Sequence, residues 1–385
     1  MRRLPLLLAA ATLAAPTLGL AGDAAPPARP LASGEVITIA PPLLRVISHE
    51  PRLYHGWPTV ATARDGTLHL AYSGGRDWHV CPFGRVDYMV SRDGGATWSR
   101  PRTLLDSVTD DREAGIAQTR SGALLVSTYT SIAYRQHLEA PQRALAGVFG
   151  SELDATLARW RVAESRVTED VRRADVGHWL LRSTDGGLTW SERRRAPGYA
   201  PHGPVPLADG RVFYAASDGK RSAAFLSSDD GLTWTHLADL PFRACELHAV
   251  EAADGTLVVH ARDRPAPDGR GKQVTLQSRS RDGGRTWSAP QLVSPAYPSH
   301  LLRLRDGALL ATFGRRETPF GIRAALSRDH GVSWSEEFAL TTDGASWDLG
   351  YPATAQLADG SLVTIWYEVP RGSHLAVLRQ AKWRL

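Results

Sequence analysis

One octapeptide, Ser-x-Asp-x-Gly-x-Thr/Ser-Trp, constrains this chain more than any other feature. It occurs at Ser91–Trp98, Ser183–Trp190, Ser227–Trp234, Ser280–Trp287 and Ser327–Trp334. The chemistry is that of a tight turn. Asp93 and its counterparts can accept N–H bonds inside the loop, Gly95 and its counterparts supply a positive φ, and the Trp has the size to pack between sheets. Turns repeated in this way call for serial units of one kind, each burying its faces against the next.

A second motif alternates with the first: Asp65-Gly66, Ser121-Gly122, Asp209-Gly210, Asp254-Gly255, Asp306-Gly307 and Asp359-Gly360, each between strand-like runs such as Thr67–Tyr72 and Thr256–His260. A polar residue and Gly between β runs marks a hairpin. Together the motifs predict six units of strand, Asp-Gly turn, strand, strand, octapeptide turn, strand. That is an all-β, six-bladed β-propeller. The sixth unit has no octapeptide, so its outer part is expected from Ser373–Leu385, paired with the segment near Val36–Ile47 to close the ring. Residues 135–173 depart from the pattern: their spacing predicts one or two amphipathic helices inserted in blade 2, either a lid, a peripheral decoration or an oligomer contact.

The first residues read as an export signal. Arg2 and Arg3 precede an apolar run from Leu4 to about Leu20, and small residues surround Gly19 and Ala21. The expectation is a signal peptide over 1–21, a leader over 22–33, a propeller over 34–385, and a secreted or periplasmic protein. Losing two arginines takes the net charge from +5 to +3, too mild to argue for nucleic acid or a membrane surface. Cys81 and Cys245 are the two cysteines, so no disulfide framework is expected. The spacing of His79, Cys81 and Cys245 matches no closed zinc site, and neither metal nor cofactor is expected.

The repeats also locate the functional end. The Asp-Gly turns and octapeptides share one end of the propeller, which leaves the opposite end, where inner strands begin and second strands finish, for chemistry. Counting eight residues back from each Asp-Gly turn selects Trp57, Glu113, Pro201, Glu246, Pro298 and Tyr351. Two residues further in stand Thr59, Gly115, Gly203, His248, His300 and Ala353, mostly small, as a crowded axis requires. The second strands end at Arg76, Arg262, Arg315 and Arg316. Such a set of Tyr, Glu, Arg and His at one end is that of a binding or catalytic pocket.

The octapeptides are those of the Asp-box, or BNR, repeat, and the chain from about residue 45 onward resembles the sialidase (neuraminidase) superfamily. Glu246-Leu247-His248-Ala249-Val250-Glu251, then Asp254-Gly255 and Arg262, is similar to that family's glutamate strand. Tyr351, followed by Asp359-Gly360 and Tyr367-Glu368, is similar to its nucleophile segment. The resemblance implies Tyr351 as nucleophile, Glu246 as its base and Asp77 as acid/base. It implies Arg76, Arg262 and Arg316 as ligands of an anionic sugar group. Where the family opens with an Arg-Ile-Pro-like tripeptide, this chain reads Gly56-Trp57-Pro58, and Arg112 or Arg85 is the candidate substitute. His248 is expected in the pocket wall.

Three functions fit these residues. The leading one is an exo-acting glycoside hydrolase releasing a terminal acidic sugar from a glycan. A polysaccharide lyase could use Tyr351, His248 and Arg262, and a non-catalytic propeller could bind glycans through the same pocket.

Overall fold

The computed structural model describes residues 36–140, 143–243, 246–263 and 272–385, and in these both repeats join antiparallel strands. Six four-stranded sheets stand around one axis. Their innermost strands are Tyr54–Thr62, Asp110–Gln118, Val205–Pro206, Glu246–Glu251, Ser299–Arg303 and Leu349–Gln356, for blades one to six. Blade six closes the ring: Leu43–Val46 pairs antiparallel with the C-terminal strand Val377–Trp383, with Leu43 opposite Lys382. A ring sealed this way joins the N-terminal segment and the C-terminal strand in one blade, and the blades keep only short outer edges.

The octapeptides fold as their composition requires. Asp282 accepts from Ser280 Oγ (2.8 Å), the Thr286 N–H (2.9 Å) and Thr286 Oγ1 (2.6 Å), while Ser280 Oγ accepts from the Gly284 N–H (2.9 Å). Their tryptophans tie neighbouring blades: Trp98 Nε1 donates to Gln380 (2.8 Å) and Trp334 Nε1 to Gln277 (2.9 Å). The apolar core lies between blades. Leu70, Tyr72 and Met89 of blade one, for example, pack with Val363, Ile365 and Leu378 of blade six. At the axis the smallest side chains meet, and a Cβ on Gly115 would overlap the Gly203 backbone.

Four short helices separate the second strand of the second sheet, Leu124–Ser131, from its third, Gly177–Ser183: α1 (Arg135–Glu139), α2 (Arg143–Phe149), α3 (Leu153–Glu164) and α4 (Glu169–Asp175). The spacing predicts one or two amphipathic helices, and the segment is divided into more. Gly150, at φ 52°, parts α2 from α3, and Thr168 caps α4 by accepting the Val171 N–H at 3.2 Å. Leu145, Leu157 and Trp160 from these helices bury against Cys81 and half-buried Trp78, Val80 and Phe83. The helices therefore clamp the loop that follows the second strand of blade one. The expected signal peptide and leader, and Cys245, lie outside the described residues.

Candidate functional site

Backbone geometry marks the site before any side chain does. Among the described residues, five non-glycine residues have positive φ: Trp57, Glu113, Asp230, His330 and Tyr351. Asp230 and His330 stand in octapeptide turns, where Gly94, Gly186 and Gly283 take the same conformation. The other three occupy one repeat position on blades one, two and six. Each begins a β-bulge in which two residues face one on the neighbouring strand: Trp57 and Pro58 lie between the pairs Gly56–Ser73 and Thr59–Ala71, Glu113 and Ala114 between Arg112–Tyr129 and Gly115–Ser127, and Tyr351 and Pro352 between Gly350–Tyr367 and Ala353–Ile365. Left-handed backbone at a bulky residue costs about 1–3 kcal/mol and concentrates at functional sites, where bulges re-aim side chains.

Around these bulges the polar groups are deeply buried, with Tyr351 3%, Glu113 4% and Glu246 4% exposed. Arg262 Nη1 donates to both Glu246 oxygens, at 2.8 and 3.0 Å, and to Tyr351 Oη at 3.3 Å. One guanidinium nitrogen thus holds acid and phenol together. Gln273 fixes the other side of that guanidinium by accepting from Nε (2.8 Å) and Nη2 (2.5 Å). Burial, then the charges of Glu113 and Glu246, push the Tyr351 phenol well above its ordinary value, so it stays neutral at rest. Arg316 sits 5.6 Å from the Tyr351 ring centre and donates to Tyr367 Oη at 3.0 Å. Among the described residues it has no ion-pair partner, and its Nε has no acceptor. Arg112 lies 4.5 Å over the Trp57 ring and donates to Tyr129 Oη, the His79 carbonyl and Asp110.

Residues 152–364 match the family described as BNR repeat-like domain. The chain belongs to this family. It is 25% identical over 352 residues to a sialidase of Bacteroides fragilis, covering 81% of this chain and 59% of that one, and 30% identical over 177 residues to a xyloglucanase of Paenibacillus sp, covering 41% of this chain and 16% of that one. The chain thus spans less than two thirds of the length of either relative. Among solved structures, a protein of unknown function from Dyadobacter fermentans shares the fold at a TM-score of 0.70 and 23% identity, over 89% of this chain and 98% of that one.

Within this BNR repeat-like propeller, Tyr351, Glu246, Arg262 and Arg316 come together, Arg112 adjoins them through Trp57, whose ring lies 6.4 Å from that of Tyr351, and Arg76, Asp77 and His248 are committed elsewhere. Arg76 spends every N–H on the protein: two bonds go to Asp110 (2.5 and 2.9 Å), and the rest to Ser73 Oγ and the carbonyls of Trp78 and His79. Asp110 fills the fork that a substrate carboxylate would need. Asp77 turns the other way and accepts from Trp160 Nε1 (2.9 Å) and Arg159 Nη2 (3.0 Å) of α3, so it anchors a helix. His248 lies one layer deeper. Its Nδ1 accepts the Leu301 N–H at 2.9 Å and its ring stacks on His300 at 4.5 Å, in the wall of an axial cavity of about 490 Å³ that reaches Arg64 and Arg305 beside the Asp-Gly turns. Burial holds it neutral, well below its ordinary value.

Repeat counting placed Glu113 and Trp57 in the ring without giving either a role. Asp110 and Asp348 were missed, because each acquires its meaning from a partner remote in sequence. Asp348, three residues before Tyr351, accepts from Tyr54 Oη (3.2 Å), Tyr367 Oη (3.0 Å) and His79 Nδ1 (3.0 Å). Among the described residues no group of three or more His, Cys, Asp or Glu could hold a metal ion, and no helix is long and apolar enough to cross a membrane.

Proposed function

We propose that this chain is an exo-acting, sialidase-like glycoside hydrolase that removes a terminal acidic sugar from a glycan, with Tyr351 as nucleophile. The observation that carries this reading is the shared Arg262 nitrogen, which keeps the neutral phenol of Tyr351 beside the Glu246 carboxylate. The phenol oxygen attacks the anomeric carbon while its proton passes to Glu246, and Arg262 stabilises the negative charge that develops on the oxygen. A neutral nucleophile can approach an anomeric carbon beside an anionic sugar group, where a carboxylate would be repelled. Water then displaces Tyr351, so the product keeps the substrate's configuration. Arg316, with donors to spare, and Arg112 take the anionic group, and Arg76 holds Asp110 and the neighbouring loop in place.

The kinship with a sialidase supports this class of reaction, and the xyloglucanase match shows that the repeats alone do not select a sugar. The helices between the second and third strands of blade two are read as an insertion that supports the site's flank. Residues 1–21 are read as a signal for export. The lyase reading that takes His248 as its acid loses that residue, which is committed to the Leu301 N–H. The test is turnover of the purified protein on aryl glycosides of acidic and neutral sugars and on anionic polysaccharides, with products identified by mass. Release of a hydrated acidic monosaccharide supports the proposal. An unsaturated product absorbing in the near ultraviolet, or saturable binding without turnover, overturns it.

A further inference from the structure

We infer that His79, oriented by Asp348, is the general acid and base of this site, a role resting on the glycosidase reading above. The loop after the second strand of blade one is pinned at several points. Asp77 is bonded to α3, the Trp78 carbonyl accepts from Arg76 Nε at 3.3 Å, and the His79 carbonyl accepts from Arg76 Nη2 and Arg112 Nη1, each at 3.0 Å. The backbone of His79 is thereby fixed by the two arginines that also flank Trp57. Its ring packs edge-on to Trp57 at 5.0 Å and lies 6.5 Å from Tyr367, and these same two rings lie 6.4 and 5.9 Å from that of Tyr351. His79 and Tyr351 therefore share walls.

The Asp348 bond decides which nitrogen works. Nδ1 lies 3.0 Å from Asp348 Oδ1 and 2.9 Å from Tyr54 Oη, and because the Tyr54 hydroxyl donates to Asp348 at 3.2 Å, the proton is assigned to Nδ1 and Nε2 is left to meet substrate, on a side chain that keeps 24% of its surface exposed. A carboxylate behind an imidazole fixes the tautomer and stabilises the imidazolium. In the first step Nε2–H gives its proton to the glycosidic oxygen, the bond from that oxygen to the anomeric carbon breaks, and the aglycone leaves as an alcohol. Meanwhile Tyr351 Oη bonds the anomeric carbon and its proton goes to Glu246. In the second step neutral Nε2 takes a proton from water, whose oxygen bonds the anomeric carbon. The bond to Tyr351 breaks as that bond forms, and the leaving phenolate recovers its proton from Glu246.

The groups facing His79 are the Asp348 carboxylate, the Tyr54 and Tyr367 phenols, and the Arg112 and Arg316 guanidiniums. Burial draws its pKa below the ordinary value and Asp348 opposes that fall. Turnover that needs the imidazolium should therefore be greatest in acid and decline as pH rises through that lowered value.

The experiment compares wild type, His79→Asn, Asp348→Asn, Glu113→Gln and Tyr351→Phe on the 4-methylumbelliferyl and methyl glycosides of N-acetylneuraminic acid and glucuronic acid. A methylumbelliferone leaves without protonation and methanol does not. His79→Asn should lose about 10²–10⁴-fold on the methyl glycoside, the usual worth of a general acid, and far less on the aryl glycoside. Equal losses on both, or a leaving-group-selective loss in Glu113→Gln alone, would overturn the assignment. Tyr351→Phe should lose both activities; if it keeps them, the nucleophile is wrong while the His79 comparison still reads. NMR titration of the His79 ring supplies a readout without substrate. Its pKa should fall in Asp348→Asn, and an unchanged value would contradict the dyad.

Discussion

Tyr351 and Glu113, on different blades, occupy the same repeat position with the same left-handed backbone, at φ 51° and 43°. A β-carbon is disfavoured there by about 1–2 kcal/mol, whereas glycine adopts the conformation freely. Glu113→Gly should therefore be more stable than Glu113→Ala by about 1–2 kcal/mol, reversing the order normal within a strand. Urea unfolding of the two variants measures this. An alanine variant as stable as the glycine one would remove strain from the account.

The second expectation concerns Arg316, which among the described residues forms no direct ion pair and leaves its Nε without an acceptor. A hydrogen bond to a charged group is worth about 1.5–3 kcal/mol, so Arg316→Gln should lower kcat/KM for an acidic-sugar glycoside about 10–100-fold. Arg316→Lys should recover only part, since an ammonium lacks the planar fork. Unchanged discrimination between acidic and neutral glycosides in Arg316→Gln would assign the anion to other residues.

The octapeptide aspartates lie at the far end from the chemistry. Asp282→Ala should lower Tm, because the Thr286 N–H and hydroxyl lose their acceptor, while turnover per folded molecule is kept. Acid should erase the difference. Side-chain and backbone bonds from Thr97 and Thr189 hold Asp93 and Asp185 down to about 2, and Asp282 lower still. A depressed carboxylate pKa contributes stability above the unfolded value of 3.8, and that stability is lost as pH falls through the folded value. The Tm gap between wild type and Asp282→Ala should thus close below about pH 4, the ordinary carboxylate range. A gap independent of pH would mean that Asp282 acts through packing.

The blades were legible because their signals are local. Asp282 bonds residues two and four positions away, and Asp254-Gly255 needs only its own hairpin. Counting back from those turns also reached Tyr351 and Glu246, and following the second strand forward reached Arg262, since a register fixed by a turn carries along the strand. What escaped was pairing across blades. Nothing near Arg76 in sequence announces that Asp110, 34 residues on, fills its fork, nor that Trp160 claims Asp77. The bulges at Trp57, Glu113 and Tyr351 were also invisible, because a left-handed Trp, Glu or Tyr contradicts local preference and is imposed by the surrounding sheet.

The role of Tyr351 is tested most directly by locating the sugar on the enzyme. A fluorinated glycosyl fluoride of the sugar that the protein turns over allows the first displacement and slows the second, so the covalent intermediate accumulates and peptide mass mapping can find it. The account predicts one adduct, on the Tyr351 side chain, absent in Tyr351→Phe and formed far more slowly in Glu246→Gln, where an amide cannot take the phenolic proton. An adduct on Glu246 or Glu113, with Tyr351 unmodified, would contradict it.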